Sequence, residues 1–87
     1  MKLTFSTKAW EQYLYWQTTD IKTLKRINLL IKDIQKTPNE GIGKPEPLKH
    51  NLSGFWSKRI SQKDRLIYKF DDDCVYIFAI GGHYDQH

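Results

Sequence analysis

The stretch that most restricts this chain is residues 21–34, where Ile21, Leu24, Ile27, Leu30, Ile31 and Ile34 recur every three or four positions. An α-helix turns once in 3.6 residues, so this spacing gathers the six apolar side chains on one face. Lys22, Lys25, Arg26, Lys32 and Lys36 fall on the opposite face. A helix divided in this way has to lay its apolar stripe on another layer. Thr18-Thr19-Asp20 offers a cap ahead of it, and Thr37-Pro38 ends it, because proline disfavours helical geometry in the residue before it.

The flanking segments supply the other layer. Residues 2–6 alternate apolar and polar, which predicts a short half-buried strand. Ser6 or Thr7 then caps a helix running to about Thr18, with an aromatic stripe of Trp10, Tyr13, Leu14 and Trp16 or Gln17 expected to cover a sheet. The short link at Thr18-Thr19-Asp20 makes the two helices an antiparallel pair. Residues 39–48 read as a loop, with Glu46 held stiff and extended between Pro45 and Pro47. Three strands follow, at about 55–61, Arg65–Phe70 and Cys74–Ile80, joined by turns at Gln62-Lys63-Asp64 and Asp71-Asp72-Asp73 short enough for antiparallel hairpins. In the second of them Leu66, Tyr68 and Phe70 share the face that helices must cover, which leaves Arg65, Ile67 and Lys69 on the open one. The expectation is an α+β fold in the order β-α-α-β-β-β, with residues 1–87 forming one domain.

An 87-residue chain buries only about 60% of the surface its unfolded form exposes, and the 14% aromatic content helps a small core by removing much area per residue. No run of about 18 apolar residues and no leader pattern is present, so a cytoplasmic protein without a membrane role is expected. Cys74 is the sole cysteine, so no internal disulfide forms, and its apolar surroundings read as a buried thiol. The net charge of +4 is unevenly spread. Lys44, Lys49, Lys58, Arg59, Lys63, Arg65 and Lys69 face only Glu46 and Asp64, giving the middle of the chain +5. Such a block attracts a polyanion by long-range Coulomb forces and counterion release, although a solvated basic face looks the same.

Cutting RNA by attack of its own 2'-hydroxyl requires a base, an acid for the departing 5' oxygen, and cations that offset charge on the phosphate. Glu46 fits the base, His83 the acid and Arg65 the phosphate clamp, with Lys49 and Arg59 in support. His50 beside Lys49, together with Trp56 and Tyr84, completes the candidate RNA contacts, Trp56 having a competing place in the core. Singly, each has a plain alternative: a solvated loop carboxylate, a histidine near a loose end, or an arginine paired with Asp64. A metal site using His83, His87 and either His50 or Cys74 is set aside, because Gly81-Gly82 does not build the helix that would align the two histidines. No metal and no cofactor is expected. A non-catalytic RNA-binding module would rest on the basic block alone.

The run Gly43-Lys44-Pro45-Glu46-Pro47-Leu48-Lys49-His50-Asn51-Leu52-Ser53-Gly54-Phe55-Trp56-Ser57-Lys58-Arg59-Ile60, then Asp64-Arg65-Leu66-Ile67-Tyr68, then His83-Tyr84, resembles the YoeB/Txe family of bacterial toxin endoribonucleases. Met1-Lys2-Leu3, Tyr13-Leu14-Tyr15-Trp16-Gln17 and residues 27–36 fit as well, so the likeness spans nearly the whole chain. It implies a RelE-type fold, two helices on a curved, mainly antiparallel sheet. It also implies a toxin that enters the ribosomal A site, cuts the messenger RNA there and is silenced by a cognate YefM-type antitoxin, with self-association through a helical face and operator DNA met only through the antitoxin. An antitoxin-binding co-repressor without catalysis is the alternative. By the same likeness Glu46 is the general base, His83 the general acid and Arg65 the phosphate-stabilising residue. Lys49 and Arg59 lie near the scissile phosphate, and Tyr84 is the terminal aromatic. The pattern departs at Gly81-Gly82, where the family often carries a basic or aromatic residue, which raises the question of what holds His83.

Overall fold

In the computed structural model, which describes residues 1–82, strand β1 (Lys2–Phe5) passes into helix α1 (Thr7–Thr19) at Ser6. The Ser6 hydroxyl accepts the Ala9 amide at 2.9 Å, satisfying a donor that the first helical turn leaves unpaired. Asp20 alone separates α1 from α2 (Ile21–Lys36) and serves both. Its amide donates to the Trp16 carbonyl at 3.1 Å, and its carboxylate accepts the Thr23 hydroxyl and amide. Those bonds from Thr23 hold the Asp20 carboxyl below its ordinary value of 3.8. The helices double back on each other, and the Tyr13 phenol donates to Asn28 Oδ1 at 2.7 Å across the pair. As expected, α2 stops at Thr37, ahead of Pro38.

The remaining strands are β2 (Glu46–Pro47), β3 (Trp56–Arg59), β4 (Arg65–Phe70) and β5 (Cys74–Ile80), with one turn of 3-10 helix at His50–Leu52. They form a five-stranded sheet in the order β1-β5-β4-β3-β2, antiparallel throughout except for the parallel pair β1 and β5. Two helices therefore cover one face of a mixed sheet, the architecture expected. Among the described residues no helix is long and apolar enough to cross a membrane.

The core lies between the helices and the sheet, where Ile27, Leu30 and Ile34 of α2 meet Leu66, Tyr68, Val75, Ile77 and Ile80, all fully buried. Several expectations need correction. On α1, Trp10 is 48% and Leu14 43% exposed, while Ala9 is fully buried with Tyr13 and Trp16 packed beside it. Small Ala9 lets the helix come close to β5, so the line 9-13-16 faces the sheet rather than the bulkier one. Ile21 is exposed because α2 begins there and meets the core only from Ile27 onward. Cys74 is half-exposed at the start of β5, with Sγ 3.4 Å from Thr4 Oγ1. Glu46-Pro47, read as loop, is an edge strand, and the strand placed at 55–61 is confined to Trp56–Arg59.

A bulge in β5 sets the exposure pattern that follows. Ile67 pairs with Ala79 while Tyr68 pairs with Ile77, so Phe78 is an extra residue on β5. Ile77 and Ile80 both turn inward as a result, whereas Phe78 and Ala79 both join the opposite face. Beyond β1 the outer edge of β5 is satisfied by α1 instead of a strand. Ser6 Oγ donates to Phe78 O at 2.7 Å, Gln12 Oε1 accepts the Ile80 amide at 2.6 Å, and Trp16 Nε1 donates to Ile80 O at 3.0 Å.

Candidate functional site

Strand register builds the site on the face the helices leave uncovered. Glu46 pairs with Ser57, and Ser57 with Ile67, so these three share a side of the sheet. Two residues along, Arg59 pairs directly with Arg65 on that same side. By sheet geometry the Glu46 and Arg59 Cβ atoms are diagonal neighbours about 7–8 Å apart. Glu46 and Arg65 are two strands and one row apart, about 12 Å. Side chains of these lengths can span that gap. Like charges directly across a ladder are unfavourable, so the Arg59–Arg65 pair is a local cost on an otherwise regular hairpin. Part of it is offset by the turn ahead of β4, whose Ser61, Gln62 and Asp64 carbonyls accept Arg65 Nη1 at 2.8, 3.1 and 3.2 Å. The turn thus orients the guanidinium.

This face is not bare. Ile67, expected to lie open, is fully buried with Ala79 under Leu48, and Leu52, Phe55 and Phe78 pack around them. The segment after β2 folds over the sheet to make this second, smaller core, fastened by the Leu48 amide on Phe55 O at 2.8 Å. It carries exposed Lys49 and His50 beside the Glu46 edge, with His50 in a left-handed conformation at φ 56. Lys69 lies over the Phe55 and Tyr76 rings, 5.2 and 5.3 Å from their centroids.

Two residues singled out from the sequence sit elsewhere. The Trp56 indole belongs to the helix-covered face, partly buried and 6.0 Å from the Phe70 ring, so it does not join Glu46, Arg59 and Arg65. The alternation that puts Arg59 outward turns Trp56 inward. Lys58, counted in the basic block, is fully buried with Nζ 2.5 Å from Asp33 Oδ2 and 2.7 Å from Glu40 O, so it offers no charge to a polyanion. The Lys58 ammonium, and the Ile42 amide beside it, hold the Asp33 carboxyl below its ordinary value. Burial, reinforced by the Asp33 charge, pushes the Tyr68 phenol well above its usual range, and its hydroxyl donates to Pro38 O.

His83 and Tyr84 lie outside the described residues. The chain immediately before them is firmly tied. Gly81 N donates to Arg65 O at 2.8 Å, Arg65 N donates to Gly82 O at 3.0 Å, and Gly82 N donates to Asp64 Oδ1 at 2.9 Å. Gly81 has φ +114, and a Cβ there would come 3.3 Å from Trp16 Cζ2, so glycine fits where a side chain would be strained. The Gly81-Gly82 departure is therefore a tight turn against Trp16, clamped to the backbone of Arg65. Asp64, the partner in the plain alternative reading of Arg65, holds Gly82 instead; its place in a turn gave no sign of this. A cleft of about 330 Å³ opens behind the clamp between Tyr15, Trp16 and Lys63.

Comparison with solved structures defines the class. The chain superimposes on a YoeB dimer from Staphylococcus aureus with a TM-score of 0.89 at 46% identity, covering 97% of this chain and 98% of that one. The toxin in a heterotetrameric YoeB–YefM toxin–antitoxin complex from the same organism gives 0.88 at 46%, with the same coverage. The architecture is thus that of the toxin half of a bacterial toxin–antitoxin pair. Toxin YoeB of Escherichia coli (strain K12) is 58% identical over 84 residues, 97% of this chain and 100% of that protein. Residues 5–84 match the family described as YoeB-like toxin of bacterial type II toxin-antitoxin system, and the chain belongs to that family.

Proposed function

We propose that this chain is a ribosome-dependent messenger-RNA endoribonuclease, acting as one toxin domain in the cytoplasm. The observation that carries the reading is the convergence of Glu46, Arg59 and Arg65 on one sheet face, with the backbone before His83 bonded to Arg65. Glu46 takes the proton from a 2'-hydroxyl, whose oxygen attacks the adjacent phosphorus. Arg65, with Arg59 and Lys49, offsets the charge that builds on the phosphate oxygens, and His83 protonates the leaving 5' oxygen. The products are a 2',3'-cyclic phosphate and a 5'-hydroxyl. An acid or base of this kind contributes about a hundredfold to ten-thousandfold, so positioning of the messenger by the ribosome and by the cations supplies the rest.

The same family membership supports a YefM-type antitoxin as partner, with an acidic segment covering the basic face, and operator DNA met through that antitoxin. Self-association would bury Trp10 and Leu14, which are exposed on α1. Glu46→Gln should lower cleavage of a messenger on ribosomes about a hundredfold to ten-thousandfold with the unfolding midpoint unchanged. Undiminished cleavage by that variant would overturn the reading, and ribosome binding without a cut product in the unaltered chain would favour a non-catalytic module.

A further inference from the structure

We propose that Lys58 is a positioning residue for Glu46, and that the pair this buried lysine makes with the partly exposed Asp33 latches down the segment that delivers this carboxylate to the sheet. The inference rests on the reading of Glu46 as the general base. Residues 37–45 leave the end of α2 in the helix layer and must cross to the far edge of the sheet. The strand they reach, β2, has two residues, one of them a proline without an N–H, so its own ladder bonds hold its register weakly.

The hold comes from below. Lys58 Nζ reaches both Asp33 Oδ2 at 2.5 Å and the Glu40 carbonyl at 2.7 Å, bridging the body of α2 to the crossing segment. Asp33 Oδ2 also accepts the Ile42 amide at 3.1 Å, the Tyr68 hydroxyl donates to Pro38 O, and the Arg59 amide donates to Gly43 O at 2.7 Å. The fit is close: a Cβ on Gly43, at φ +84, would come 2.8 Å from Leu30 Cδ2 and 3.1 Å from Lys58 Cβ. The Lys58 backbone lies between Ser57, which pairs with Glu46, and Arg59, which pairs with Arg65. One residue thus sits between the strand partners of the carboxylate and the guanidinium while its side chain fixes the approach to the carboxylate. Stability gives a poor reason for an ammonium there, because apolar groups of similar volume often serve a core as well as a buried ion pair does.

The test uses the full chain, with Asp33→Asn and Lys58→Met combined so that the ammonium is never left buried without its carboxylate. For on-ribosome cleavage, kcat should fall about tenfold to a hundredfold with KM little changed, the signature of a misplaced group rather than lost binding. Placed on a Glu46→Gln background, the same two substitutions should remove nothing further. An equal fold loss on both backgrounds would mean a general packing defect and overturn the inference, as would no loss at all. Amide hydrogen exchange over residues 40–48 should become about tenfold faster in the double variant, while β4 and β5 keep their protection. Unchanged exchange would overturn the latch. Full cleavage by Glu46→Gln alone would sink the base assignment instead, and the exchange result would still decide whether Lys58 holds the segment.

Discussion

On the helix-covered face of the sheet, Leu66, Tyr68, Val75, Ile77 and Ile80 meet Ile27, Leu30 and Ile34 in one apolar layer, interrupted near its edge by Lys58. The opposite face sets two arginines directly across from each other and takes both Phe78 and Ala79 at the β5 bulge. Apart from Lys58, the covered face follows packing rules. The other departs from them at the arginine pair, and it is the face that carries Glu46. A like-charge cost beside an exposed carboxylate is what the catalytic role proposed for this face leads one to expect.

The contrast can be broken from either side. Leu66→Ala, on the covered face, should cost about 2–5 kcal/mol in urea unfolding, with cleavage retained at temperatures where the variant stays folded. A comparable loss of activity without unfolding would mean the two faces are not separable. Arg59→Ala should act in the opposite sense. Relief of the like-charge pair should leave stability unchanged or raise it by up to about 1 kcal/mol, while the slope of ribosome binding against salt falls by about one. A variant that loses stability without altering that slope would return Arg59 to the frame. The smallest effect concerns acid. Hydrogen bonds hold Asp20, Asp33 and Asp71 below 3.8 when folded, so the stability they contribute is present above about pH 4 and is lost as pH falls through their depressed values. Urea midpoints at about pH 5 and about pH 2 should record that decline, and a flat profile would discount these carboxylates.

Much of the covered face was legible because periodicity reports burial. The α2 stripe from Ile27 onward and the Leu66-Tyr68 alternation have the repeat of their elements, and both lie where that repeat puts them. The stripe on α1 misled, because the small residue Ala9 decides how closely that helix approaches β5, while the bulkier Trp10 and Leu14 face outward. The extended setting of Glu46 and the place of Arg65 on the uncovered face could be read from the two prolines and the strand alternation. The burial of Lys58 could not, since its partner Asp33 is 25 positions away and a lysine amid other basic residues carries no mark of its surroundings. Nor could the roles of Gln12, Trp16 and Asp64, which depend on where β5 ends in space.

Strand β2 has one more consequence. A sheet margin normally offers a row of unpaired amides and carbonyls on which another polypeptide can zip, and aggregation often begins there. Here that margin is two residues long and includes Pro47, which has no amide to offer a newcomer. Growth of the sheet is thereby discouraged at the very border that presents Glu46, so the carboxylate is left exposed there rather than capped by an added strand.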